Sequence, residues 1–125
     1  MKNIISTDNA PKAIGPYSQG ISIKNLVFTS GQIPLDPATG ELITEIKAAT
    51  RRSMLNVKAI LEKAGSSLDN IIKVTIFLKN MDDFNSVNEV YGEFFKENPP
   101  ARSCVEISRL PKDAVIEIEV IALKK

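Results

Sequence analysis

The chain of 125 residues has no histidine, a single cysteine, and aromatic side chains at only 6% of its positions. The missing histidine removes Ser-His and Cys-His nucleophile pairs, and imidazole metal sites with them. Catalysis is left to Arg, Glu, Tyr, Ser and the backbone. A lone Cys104 excludes an intramolecular disulfide and a cysteine-based metal cluster, a usage that fits a reducing compartment. Nor does any stretch approach the ~20 apolar residues of a membrane span, and Met1 to Ala10 lacks the apolar run of a signal peptide. A cytoplasmic location with no membrane partner is expected. An excess of either charge is missing too, since 16 basic residues against 15 acidic ones give +1, with the signs interspersed. Without a stripe of Lys and Arg or a surplus of aromatics, nucleic acid is not an expected partner.

With 43% hydrophobic and 25% charged residues, the composition is that of one globular domain over 1–125. A chain this long buries roughly two-thirds of its unfolded surface, enough to fold without staples. Alternation at Ile21 and Ile23, then from Leu26 to Ile33, predicts two strands joined near Lys24-Asn25, with a turn at Asp36 to Gly40. From Glu45 to Ala64 a stripe of apolar or small residues (Ile46, Ala49, Ser53, Val57, Ile60 or Leu61, Ala64) predicts a helix stopped by Gly65. Ile72, Val74, Ile76 and Leu78 form the apolar face of a strand. Asp82 or Asp83 can cap a second helix with the stripe Phe84, Val87, Tyr91 and Phe94 or Phe95, ended by Asn98-Pro99-Pro100. Arg102 to Arg109 and Val115 to Leu123 read as a closing strand pair joined by Leu110 to Asp113, a connection of hairpin length. The order of elements points to an α+β domain, with two helices on one face of a sheet. On the last strand Ile116, Ile118, Val120 and Ala122 make one apolar side. Val115, Glu117, Glu119, Ile121 and Leu123 make a mixed side that fits either an exposed face or a subunit interface lining a polar cleft.

Several residues can carry chemistry. Gly31, beside Ser30 at a strand end, suits either a bulge or the close approach of a ligand to the backbone. Arg102, on a stiff segment after Pro99-Pro100, can hold a carboxylate through two parallel hydrogen bonds or form an ordinary ion pair. Cys104 points the same way as Arg102 but has no neighbour to activate it, so by itself it reads as a small core residue. Tyr17 offers a phenolic hydroxyl to a pocket or packs with that hydroxyl in solvent. Asn88 breaks the stripe of the second helix, either to orient a partner loop or at the stripe's margin.

Taken together, four segments resemble the RidA/YjgF family of reactive-intermediate deaminases. They are Ala13-Ile14-Gly15-Pro16-Tyr17-Ser18-Gln19-Gly20, Thr29-Ser30-Gly31-Gln32-Ile33-Pro34, Asn56-Val57, and Pro100-Ala101-Arg102-Ser103-Cys104-Val105-Glu106 followed by Ile116-Glu117-Ile118-Glu119. They run in family order over nearly the whole chain. The resemblance implies a chorismate-mutase-like α+β fold forming a homotrimer around a central barrel, with three clefts between subunits. It implies hydrolysis of 2-imino acids to 2-oxo acids and ammonia, with no metal or organic cofactor. By the same resemblance Arg102 binds the substrate carboxylate and Glu117 holds the attacking water. Tyr17, Ser30, Gly31, Asn88 and Cys104 shape the cleft. The stretch Lys96 to Pro100 is shorter than in some relatives, which bears on the cleft rim. Competing classes are a non-catalytic metabolite-binding or chaperone-like trimer, and the endoribonuclease or translation-inhibitor role described for some family members.

Overall fold

The computed structural model describes residues 1–125 and contains one six-stranded mixed sheet with two helices. In chain order the elements are β1 (Asn3–Ile5), β2 (Gly20–Ile23), β3 (Leu26–Thr29), α1 (Ile46–Lys63), β4 (Ile71–Leu78), α2 (Phe84–Phe94), β5 (Ala101–Glu106) and β6 (Ile116–Leu123). The strands lie in the order β1-β2-β3-β6-β4-β5, and only β4 and β5 run parallel. The α+β architecture expected from the sequence is therefore present. No helix is long and apolar enough to cross a membrane.

Strand β6 alternates as its pattern requires. Ile116, Ile118, Val120 and Ala122 are buried, whereas Glu117, Glu119, Ile121 and Leu123 are half-buried or exposed on the other face. The buried side packs with Val74, Ile76 and Leu78 of β4 and with Met54, Val57, Ile60 and Leu61 of α1 in one cluster. Burial of each such side chain stabilises by roughly 1.5–3 kcal/mol.

Helix α1 begins where Glu45 folds its carboxylate over its own first turn, accepting from the Lys47 and Ala48 amides at 2.5 and 3.2 Å. It ends at Ala64, and Gly65 follows with φ of +82°, a left-handed value that glycine takes without steric cost. Asn56, fully buried on α1, donates through Nδ2 to the carbonyls of Ile33 (3.3 Å) and Leu35 (2.9 Å), and its Oδ1 accepts from Arg52 Nε at 3.1 Å. One side chain thus fastens the loop after β3 to the helix.

Several expectations need correction. The closing strands form no hairpin, because β5 pairs with β4 in parallel while β6 pairs with the opposite edge of β4. Strand β5 ends at Glu106 rather than Arg109, and the connection to β6 is long enough to pass over β4. On β4 the buried position is Ile71 rather than Ile72, since a bulge between Ile71 and Lys73 turns Ile72 outward. Asp82 and Asp83 do not cap α2 with their side chains; Asn80 caps the preceding turn by accepting from the Asp82 amide at 2.9 Å. Finally, Asn3–Ile5 forms an edge strand that the sequence pattern did not announce.

Asn56→Ala leaves the Leu35 carbonyl without its side-chain partner and the Ile33 carbonyl with only the Leu35 amide, and is expected to cost about 2 kcal/mol of folding stability. The shift of the chemical denaturation midpoint at unchanged slope measures it.

Candidate active site

The sequence around Gly31 sets up the first half of the site. Between the pairs Phe28–Ile121 and Gln32–Ile118, β3 advances four residues while β6 advances three, so the segment carries one extra residue and bulges. The bulge is held from both sides. Thr29 Oγ1 accepts from the Val120 amide at 3.0 Å, the Ser30 amide donates to the Gln19 carbonyl at 2.9 Å, and Ser30 Oγ donates to the Ser18 carbonyl at 2.5 Å.

Gly31 sits directly against Glu117. A Cβ placed on Gly31 would come within 2.5 Å of Glu117 Cδ and 2.6 Å of Oε2, far inside contact distance. Of the two readings of this glycine, the bulge is present, and the missing Cβ makes room for the chain's own Glu117 carboxylate. Burial raises the pKa of Glu117, and the neighbouring charge of Glu119 raises it further. A carboxyl group biased in this way accepts and returns protons nearer neutrality than an ordinary glutamate.

A cavity of about 610 Å³ opens over these groups, lined by Tyr17, Ser30, Gly31, Glu117 and Glu119, with Lys12 and Lys112 among its other lining residues. Tyr17 is half exposed, and its hydroxyl accepts from the Ile14 amide at 3.4 Å. The chain segment before it is tied down by Gln19. That buried amide receives the Thr7 amide at 2.7 Å and donates to the carbonyls of Thr7, Ala10 and Pro11 at 3.1, 3.2 and 2.7 Å. The sequence reading assigned no role to Gln19, Lys12 or Lys112. A polar residue beside Gly20 at a strand start carried no sign that it would be buried and fully bonded.

Arg102, Asn88 and Cys104 make a second cluster elsewhere. Arg102 Nη1 donates to Asn88 Oδ1 at 2.8 Å, and the guanidinium carbon lies 4.9 Å from the Tyr91 ring centroid and 5.5 Å from that of Phe84. None of the chain's ion pairs includes Arg102. Of the two alternatives open for this arginine, the ordinary ion pair is absent. Burial pushes the Cys104 thiol upward, and the charge of Arg102 offsets part of that, so the thiol is held neutral rather than activated.

The two clusters do not meet within the chain. Register pairs Arg102 with Val74 and Val74 with Val120, all on the helix-covered face, whereas Glu117 pairs with Phe77 on the open face. Two strand spacings, about 10 Å, an offset of three residues along β6, about 10 Å more, and the thickness of the sheet separate them.

Comparison with known proteins gives consistent matches. The family model described as endoribonuclease L-PSP matches residues 7–124. A RutC family protein of Pyrococcus horikoshii is 59% identical, covering 100% of both chains. The 2-iminobutanoate/2-iminopropanoate deaminase of Escherichia coli is 52% identical, again covering 100% of both. Among solved structures, E. coli TdcF with bound serine superposes with a TM-score of 0.95 at 49% identity, covering 98% of this chain and 99% of that one.

Two outcomes are expected. Gly31→Ala forces the Glu117 carboxylate aside and should displace it from the cavity floor, which a crystal structure of the variant would reveal as a changed Glu117 rotamer. In a carbon-detected NMR titration, Glu117 should titrate above the ordinary glutamate value. In Glu119→Gln its midpoint should move down while staying raised, because burial is the larger cause.

Proposed function

Because the chain belongs to the RidA/YjgF family, we propose that it is a deaminase that hydrolyses reactive 2-imino acids, such as 2-iminopropanoate and 2-iminobutanoate, to 2-oxo acids and ammonia. The observation that carries this reading is an oriented guanidinium with no carboxylate of its own chain to pair with. A partly desolvated cation left without a counter-ion is suited to take one from a ligand, and a 2-imino acid supplies a carboxylate next to its reacting carbon. Two relatives support the same chemistry. The E. coli relative is named as this deaminase, and serine, bound to TdcF, carries its nitrogen on the carbon that bears the carboxylate, as a 2-imino acid does.

The complete site is formed between copies of the chain. Strand β5 leaves one edge unpaired, and the open sheet face exposes Ile23, Phe28, Val105 and Leu123. A homotrimer that covers this face would bring one copy's Arg102, Asn88 and Cys104 to the Tyr17, Ser30, Gly31 and Glu117 of the next. In the reaction, Arg102 holds the substrate carboxylate and Glu117 binds a water over C2. As the water attacks, Glu117 takes its proton and returns one to nitrogen. Glu117 then takes the proton of the adduct's hydroxyl and passes it to the amino group as the C–N bond breaks, so that ammonia leaves and the carbonyl of the 2-oxo acid forms. The imine carbon is already electrophilic, so positioning and one proton carrier are enough.

The test couples threonine dehydratase to the protein in the presence of a nucleophile that traps the imine, and follows 2-oxobutanoate release, with assembly read by light scattering. A threefold chain mass and faster release are expected. Arg102→Ala and Arg102→Lys should raise KM by about 10- to 100-fold, the latter because lysine keeps the charge but loses the fork. Glu117→Gln should lower kcat by roughly 10²-fold or more, while Glu119→Gln keeps turnover. Carboxylate binding without faster release would favour a metabolite binder. RNA cleavage without imine hydrolysis would favour the endoribonuclease reading.

A further inference from the structure

We propose that Phe84 and Tyr91 are positioning residues for Arg102: their rings set the plane of the guanidinium, Asn88 sets its rotation within that plane, and one edge of the fork is left free for a carboxylate. The inference rests on reading Arg102 as the carboxylate clamp.

All three partners come from α2. Phe84, Asn88 and Tyr91 stand at i, i+4 and i+7, which places them along one helical face. The ring centroids lie 5.5 and 4.9 Å from the guanidinium carbon, within the range in which an aromatic face attracts a cation. Asn88 takes one Nη1 hydrogen at 2.8 Å. That contact leaves the Nε–Nη2 edge, the pair of donors whose spacing matches the two oxygens of a carboxylate.

The cradle is itself braced. Phe95 packs against Tyr91 with the rings tilted at 44° and their centroids 4.8 Å apart. Glu106 shares a strand face with Arg102 and accepts from the Met81 amide at 2.8 Å, tying the entry of α2 to the far end of the same strand. Strand and helix are therefore held in register around the arginine. A free arginine side chain has many rotamers, and a site in which that freedom is already removed binds its anion more tightly.

The buried Tyr91 hydroxyl has no hydrogen-bond partner in the chain. Burial pushes its pKa to about 12, with Arg102 pulling it back only in part, so the phenol remains neutral. The ring, and not the hydroxyl, is what Arg102 uses. Tyr91→Phe thus separates the two, because losing an unpartnered hydroxyl carries little penalty.

The experiment measures steady-state deamination and the Kd for 2-oxobutanoate, by calorimetric titration, in wild type, Phe84→Leu, Tyr91→Leu and Tyr91→Phe, with Tm and oligomer mass recorded for each. A leucine variant with native mass should raise both KM and Kd by about tenfold while kcat holds, and Tyr91→Phe should restore wild-type values. Two leucine sites guard against loss of folding at either one. Wild-type KM and Kd in a folded leucine variant would overturn the inference, as would a Tyr91→Phe variant as impaired as Tyr91→Leu. A wild-type protein that binds 2-oxobutanoate, weakens as stated in the leucine variants, and yet releases none from the imine would sink the deaminase reading and leave this one standing.

Discussion

Strand β6 runs between β3 and β4 in the middle of the sheet, and its strict alternation commits every second residue to the core beneath the helices. Three large side chains, Ile116, Ile118 and Val120, are buried there. The same alternation obliges Glu117 and Glu119 to stand on the opposite face. A slip of one residue would bury both carboxylates and expose the isoleucines, a change that costs several kcal/mol for each unpaired charge. The register that makes the core is therefore the register that presents the glutamates. The bulge at Ser30-Gly31 then adapts β3 to that geometry, giving up one ladder position so that a backbone without Cβ can face Glu117.

The chain leaves its electrostatics unfinished. Arg102 is oriented by Asn88 and two rings without an anionic partner, and Glu117 is partly desolvated with its nearest charged influence another carboxylate. A protein that only needed stability would replace or pair such groups, because each is unfavourable alone. In the proposed assembly these opposite charges, held on opposite faces with an unpaired strand edge beside one of them, would form two halves of a binding site. In that assembly the protein's stability would be linked to whatever joins the halves, since binding to the folded form shifts the folding equilibrium.

Where periodicity and burial agree, local patterns in the chain were enough to read. Helix α1 from Glu45 to the Gly65 stop, the apolar side of β6, and the turn at Asp36 to Gly40 all follow from spacing and from the conformational freedom of glycine. Local chemistry likewise drew notice to Gly31 and Arg102, a glycine beside a polar strand end and an arginine on a stiff proline-led segment, whereas a role for Glu117 came only from the family resemblance. Gln19 and Asn56 were not conspicuous in that way. A buried amide is recognisable only by the carbonyls that converge on it, and those come from segments 8 to 23 residues away.

The amino-acid sequence by itself thus determined the core face of β6 and most of that of β4, where α1 stops, and which groups are available for chemistry without histidine. Those properties depend on side-chain type and on spacings of two to four residues, which the backbone reads locally. Tertiary structure decided the rest. It placed β5 on the outer edge of β4 instead of beside β6, turned Ile72 outward at a bulge, and set Arg102 and Glu117 on opposite faces of the sheet. The physical reason is that strand partnership depends on which free edge remains after the intervening helix has packed. A pairing of edges between distant segments leaves no trace in the local pattern of either one.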